Sequence, residues 1–164
     1  MFCSRQRPFL LNESDVGSPR WRTRIRVGGL LGFMLSASLS AGADDLAVIV
    51  NSQSGVEQLT KAEVINLFLG RQKKLPSGAT ALTVDLGGPN AEKQQFYARL
   101  VNKELAEINS YWARLFFSGQ GSPPRQVEAP EEVLDIVENN KSAIGYIERN
   151  KVDSRVKIVY ILKD

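Results

Sequence analysis

The apolar residues of this chain fall into two patterns from residue 44 onward. Short runs rich in Val, Ile and Leu, each bounded by polar turn residues, predict buried strands. Between these runs, apolar residues recur every three or four positions, which predicts amphipathic helices. The predicted strands are Leu46–Val50, Leu82–Leu86, Ala143–Ile147 and Val156–Leu162.

Four helices are predicted between the strands, each with a start signal or an apolar face. They begin at Thr60, at residues 87–90, near Ile108 and at Pro130. The first has the clearest start, because Glu63 lies three residues after Thr60 and the two can form a capping box. Strands and helices therefore alternate, which predicts an α/β domain built as a three-layer sandwich around a mostly parallel or mixed sheet.

The first 43 residues have the pattern of a secretory signal. Four arginines within residues 20–26 precede an uncharged apolar stretch, Val27–Leu39, and the small residues Ala41-Gly42-Ala43 follow. We expect cleavage after Ala43, with Asp44 as the first residue of a periplasmic protein. The apolar stretch is shorter than the roughly 20 residues that a membrane-spanning helix needs. Residues 1–43 are thus expected to be an N-terminal extension with a signal peptide, and residues 44–164 one domain.

Charge and composition exclude several classes of function. The chain has 21 basic and 18 acidic residues, but six arginines and only two acids lie in the leader. The domain keeps 15 basic and 16 acidic residues, so no basic excess indicates a nucleic-acid partner. It has no His, and Cys3 lies in the leader. Thiol nucleophiles, imidazole bases, disulfides and ordinary zinc sites are therefore not expected.

The remaining polar residues do not predict an enzyme. Glu131 and Glu132 are adjacent acids, but they fit the start of a helix, where the dipole favours negative charge. General acid–base catalysis needs placed and tuned groups, and the sequence shows no recognisable constellation of them. We expect a protein without catalytic activity, cofactor or metal.

Several motifs resemble those of phosphate-specific substrate-binding proteins of ABC importers. Leu59–Arg71 ends in Phe-x-Gly-Arg, and Ser142–Ile147 reads Ser-Ala-Ile-Gly-Tyr-Ile. Tyr111–Arg114 (Tyr-Trp-Ala-Arg) and Gly121–Arg125 (Gly-Ser-Pro-Pro-Arg) are similar to short, single-lobe relatives. The resemblance covers nearly all of residues 46–160. It implies one lobe of the type II periplasmic binding protein fold, phosphate or a similar oxyanion as ligand, and a membrane permease or sensor as partner.

The segment after the second predicted strand departs from that family. Full-length members have an Arg and a Ser-Gly-Thr stretch there, which contribute to a phosphate site between two lobes, whereas this chain has Asp85–Asn90. Two functions therefore stay open. One is an exported solute-binding domain for an oxyanion. The other is a periplasmic interaction or sensory module that binds no ligand and covers a bare face with a partner, a homodimer being one arrangement.

The turn before the second helix is the first candidate for an anion site. Gly87, Gly88 and Asn90 leave backbone N–H groups free at the positive end of a helix, where anions are stabilised. The alternative is an ordinary strand-to-helix turn, which uses Gly and Asn for conformational reasons alone.

Two loops supply further candidates. Ser52 and Ser54 follow the first strand, and ligands of open α/β sheets bind beyond the carboxyl ends of strands. Arg125 lies in a segment rich in Gly, Pro and Ser that is predicted to be a loop, and its guanidinium can clamp an oxyanion. The alternatives are a polar surface loop for the serines and an ion pair with a surface acid for Arg125.

Overall fold

The computed structural model describes residues 45–163, in which helices cover both faces of a five-stranded sheet. The expected signal peptide and its cleavage site lie outside the described residues. In chain order the elements are β1 (Leu46–Asn51), α1 (Lys61–Phe68), β2 (Leu82–Leu86), α2 (Ala91–Val101), α3 (Leu105–Phe117), β3 (Arg125–Val127), α4 (Pro130–Asn139), β4 (Ala143–Glu148) and β5 (Val156–Leu162). None of these helices is long and apolar enough to cross a membrane.

The sheet is mixed, and its strand order is β3-β2-β4-β1-β5. β2 runs parallel to both β3 and β4, whereas β1 runs antiparallel to β4 and β5. β1 and β2 therefore point in opposite directions, and their carboxyl ends lie at opposite ends of the sheet. The antiparallel direction of β1 therefore determines which candidate residues lie at the same end of the sheet.

Two adjacent residues of β4 show that the sheet lies between two helical layers. Neighbouring side chains on a strand point to opposite faces. A Cβ atom on Gly145 would lie 2.4 Å from a methyl group of Val133 in α4. The ring of Tyr146, on the other face, stacks on Phe96 of α2 and packs edge-on against Phe68 of α1. The predicted α/β three-layer sandwich is confirmed.

The start of α1 follows from its capping box. The Thr60 hydroxyl accepts a hydrogen bond from the Glu63 N–H group at 3.3 Å, and the Glu63 carboxylate accepts one from the Thr60 N–H group at 2.8 Å. The carboxylate also accepts a hydrogen bond from the Thr60 hydroxyl at 2.7 Å, and the two bonds that it accepts stabilise its ionised form and lower the pKa of Glu63. The capping box predicted from the sequence is confirmed.

The segment predicted to be a loop around Arg125 instead contains a strand. Arg125–Val127 forms β3, which pairs in parallel with Val84–Leu86 at the edge of the sheet. Three residues of mixed polarity carry no alternation that sequence reasoning can detect, because the pairing is made by backbone groups.

Candidate functional site

The turn between β2 and α2 has an open centre. Gly87 is fixed, because its N–H group donates to the carbonyl oxygen of Val127 in β3 at 2.7 Å. Gly88 has a positive φ of 63°, and no atom beyond its own chain neighbours lies within 4 Å of the place where a Cβ would be. The left-handed conformation favours glycine there, and the open space lets a ligand approach the backbone.

Asn90 caps α2 and uses two of the four free donors of the first turn. Its side-chain oxygen accepts hydrogen bonds from the N–H groups of Glu92 at 2.8 Å and Lys93 at 3.3 Å. No described residue accepts from the N–H groups of Gly88, Asn90 or Ala91. The turn therefore keeps three backbone donors at the positive end of an eleven-residue helix.

Arg125 lies near this turn. It begins β3 and precedes by two residues Val127, whose carbonyl holds Gly87. Its pairing with Val84, the neighbour of Asp85, puts its side chain on the face of the sheet opposite to that of Asp85. Arg125 is exposed, and no carboxylate in the described part of the chain pairs with it.

Ser52 and Ser54 are not part of the same site. They follow the carboxyl end of β1, which lies beside the amino end of β2, because Val50 pairs with Ile144 and Thr83 pairs with the same residue. Four residues of β2 separate that end from Gly87, about 13 Å along the strand. The antiparallel direction of β1 therefore separates the two serines from the glycine turn.

The two serines also differ in exposure. Ser54 is buried, and its hydroxyl accepts a hydrogen bond from the N–H group of Val56 at 3.3 Å, within the turn itself. Ser52 is exposed. Only Ser52 presents its side chain to solvent.

A buried polar cluster lies beneath the glycine turn. The ammonium of Lys93, in the first turn of α2, lies 3.1 Å from a carboxylate oxygen of Asp85, and both side chains are at most 4% exposed. The hydroxyl of Tyr97 donates to the same carboxylate at 3.0 Å, and that of Tyr146 donates to its second oxygen. Asp85 thus receives three donors inside the domain.

This cluster fixes the first turn of α2 against the sheet. A lysine so close to the start of a helix is disfavoured by the dipole, and the contact with Asp85 compensates for it. Burial is the main cause that raises the pKa of Tyr97 and Tyr146 well above the ordinary value, and the charge of Asp85 raises it further. Both phenols therefore remain protonated donors.

Sequence reasoning missed this cluster, although one signal for it was present. Asp85 is the single charged residue in the otherwise apolar or hydroxyl-bearing run Leu82–Leu86. A charge in a buried strand needs a partner. Its partners come from α2 and β4, 8 to 61 positions away in the chain, so the sequence pattern does not identify them.

A second charged group borders the turn. Lys151 lies 2.6 Å from one carboxylate oxygen of Glu92 and 3.1 Å from Glu148. The hydrogen bond to Glu92 is the largest cause that raises the pKa of Lys151. The other oxygen of Glu92 is buried without a hydrogen-bond partner. Because Lys151 compensates Glu92, the acidic side chain repels an incoming anion less than an unpaired one would.

Two grooves lie elsewhere on the domain, and neither is lined by any of the six candidate residues. Within residues 45–163 no group of three or more His, Cys, Asp or Glu side chains could hold a metal ion. The β2–α2 turn therefore remains a candidate anion site, with free backbone donors at the start of α2.

The fold matches that of solved phosphate-transport proteins. An ABC-type phosphate transport receptor from Vibrio cholerae is 18% identical, covers 71% of this chain and 45% of its own, and superposes with a TM-score of 0.57. A protein from Clostridium perfringens is described as a phosphate ABC transporter substrate-binding protein and was solved with bound phosphate. It is 18% identical, the match covers 71% of this chain and 44% of that protein, and the TM-score is 0.58. PstS from Borrelia burgdorferi is 15% identical, the match covers 71% of this chain and 46% of that protein, and the TM-score is 0.53.

This chain has the fold of these phosphate ABC transporter substrate-binding proteins, so the resemblance seen in its motifs is confirmed at the level of fold. It spans less than half the length of the solved proteins that it matches. No family model matches the sequence, and no curated protein is detectably similar to it.

Proposed function

We propose that this protein is an exported, non-catalytic solute-binding domain that takes phosphate or a similar oxyanion at the β2–α2 turn. The observation that carries the proposal is the open backbone at Gly88, next to the donors of Asn90 and Ala91 that no described residue occupies. Anions are stabilised at such helix starts by the N–H groups and by the dipole together.

Arg125 supplies the charge that the backbone donors lack. A guanidinium can bind an oxyanion through two parallel hydrogen bonds, and Arg125 is exposed on β3, the strand that borders the turn, without a described acidic partner. The rigid base formed by Asp85 and Lys93 holds the donors in place before a ligand arrives, which reduces the entropic cost of binding.

The wider assignment rests on the fold and on the leader. The matched proteins are described as phosphate transport receptors or substrate-binding proteins. We therefore propose that this domain is a transport-associated component that works with a membrane permease in the periplasm. Because it has no second lobe over the turn within the described residues, we expect weaker binding than an enclosed site gives.

Isothermal titration of the purified protein with phosphate and with sulfate tests the proposal. We expect saturable heat with the unmodified protein, loss of it in Gly88→Asp, and retention in Gly88→Asn. Asp and Asn both tolerate the left-handed backbone, so the pair differs only in the negative charge placed over the turn. Absence of heat and of any thermal shift at high ligand concentration would sink the proposal, as would equal loss in both variants.

A second candidate is an interaction module that binds no anion. It is favoured by the side chain of Asn90, which already occupies two donors of the α2 start. For that function the same titrations give no heat, while the fold and stability of Gly88→Asp stay unchanged.

A further inference from the structure

Cations without an ion pair to any described residue lie near exposed aromatic rings in the helical layer that contains α1 and α3. We call this region the basic aromatic surface. It consists of the segment that follows α1 and the last turns of α3, with Arg71, Lys73, Lys74, Arg114, Phe116 and Phe117. Phe116 is 60% exposed and Phe117 is 87% exposed, and they are the large apolar side chains with high exposure in the described domain.

Two contacts join the segment after α1 to α3. The hydroxyl of Tyr111 donates to the carbonyl oxygen of Leu69 at 2.7 Å. Gly70 lies so close to the indole of Trp112 that a Cβ there would be 2.8 Å from the ring. These two contacts hold the segment after α1 against α3.

The grooves on either side of these contacts bring the charged and aromatic residues together. Arg71 and Arg114 line one groove of about 750 Å³. Lys73 and Phe116 line the other, of about 530 Å³. The surface therefore continues from the cations of the first segment to the aromatic end of α3.

The basic aromatic surface carries an excess of positive charge. None of the four cations forms an ion pair with a described residue. The single acid that lines either groove, Glu107, is paired with Lys103 at 2.5 Å. The domain as a whole has slightly more acidic than basic residues, so the local excess of positive charge on this surface is not a property of the whole domain.

We propose that the basic aromatic surface binds the domain peripherally to an anionic lipid bilayer. Phe117 protrudes from the end of a helix, and apolar side chains in such positions enter the interface between headgroups and acyl chains. The surrounding cations meet the anionic headgroups, and each contributes about fivefold in affinity. A second copy of the chain is disfavoured as the occupant, because the same unpaired cations would face one another. The proposal is independent of the oxyanion site.

Vesicle co-sedimentation of the protein tests the proposal. We expect binding to vesicles of equal parts phosphatidylglycerol and phosphatidylcholine, weaker binding as salt is raised, and none to phosphatidylcholine alone. Lys73→Gln combined with Lys74→Gln should weaken binding roughly 25-fold. The matched control is Lys141→Gln combined with Lys163→Gln, which changes the charge equally at exposed positions elsewhere and should leave binding unchanged.

A fluorescence variant tests the role of the aromatic residues. Phe117→Trp should shift its emission to shorter wavelength with the anionic vesicles, and Phe117→Ser should bind more weakly while it unfolds at the same urea concentration as the unmodified protein. The proposal is overturned by absence of binding to the anionic vesicles, by equal losses in the two lysine pairs, or by an unshifted tryptophan. Concentration-dependent dimerisation that Phe117→Ser abolishes would instead assign this surface to a second copy.

Discussion

At the scale of residues, the domain depends on a few positions where the surrounding atoms require the residue that is present. Gly145 sits where β4 and α4 approach too closely for a methyl group. Asp85 is buried and is satisfied only because Lys93, Tyr97 and Tyr146 all reach it. The close approach at Gly145 was predictable from a glycine within a strand, whereas the partners of Asp85 depend on tertiary packing.

Gly145→Ala should destabilise the domain by about 1–3 kcal/mol, because its new methyl group overlaps Val133 in a packed layer. The measurement is the free energy of unfolding in urea. Gly121→Ala is the matched control, since a Cβ atom there would lie 3.9 Å from the ring of Trp112, its nearest contact apart from the two neighbouring residues. The double variant Gly145→Ala with Val133→Ala should regain part of the loss. Equal stability of Gly145→Ala and Gly121→Ala would contradict the close approach of Gly145 to Val133.

Tyr97 and Tyr146 predict a loss of stability at alkaline pH. Burial raises the pKa of both phenols above the ordinary value of 10.0, so above that pH the unfolded chain releases protons that the folded domain retains. Their contribution is complete below about pH 10 and declines as pH rises toward the folded pKa, by up to about 1.4 kcal/mol per pH unit for each phenol.

Urea unfolding at a series of alkaline pH values measures this decline. The variant Tyr97→Phe with Tyr146→Phe should be less stable at neutral pH, because Asp85 loses two donors. Its stability should nevertheless fall less steeply above pH 10. A variant that keeps the slope of the unmodified protein would contradict the assignment of buried, protonated phenols.

At the scale of elements, apolar runs and caps predict most of the structure. The predicted strand Leu46–Val50 extends by one residue in β1, and α4 begins at Pro130 as expected. β3 could not be predicted, because an edge strand of three residues has no detectable periodicity. Strand direction could not be predicted either, since it depends on pairing between distant segments. For that reason the sequence does not show that Ser52 and Gly88 lie at opposite ends of the sheet.

The start of α1 gives a test at this scale. Thr60→Ala should cost about 0.5–2 kcal/mol, because the N–H group of Glu63 loses its acceptor and an eight-residue helix has little stability of its own. Thr60→Ser keeps the hydroxyl and should retain most of the stability. Thermal unfolding followed by circular dichroism compares the two, and identical midpoints would contradict a functional cap.

At the scale of the whole molecule, the domain combines a sheet of mixed direction with two distinct surfaces. The β2–α2 turn offers backbone donors and Arg125 at one end of β2. The basic aromatic surface lies on the helical layer, and one of its grooves is lined by Thr80 and Thr83 near the other end of β2. The proposed export to the periplasm would bring both surfaces to a compartment where a solute-binding domain meets its ligand beside a membrane.

Amide NMR during a phosphate titration tests whether an oxyanion binds to the backbone of the β2–α2 turn. The amide resonances of Gly88, Asn90 and Ala91 should move the most and should saturate, and chloride at equal ionic strength should leave them in place. Resonances that do not move at saturating phosphate, or that move mainly at Arg71 and Arg114, would contradict such binding.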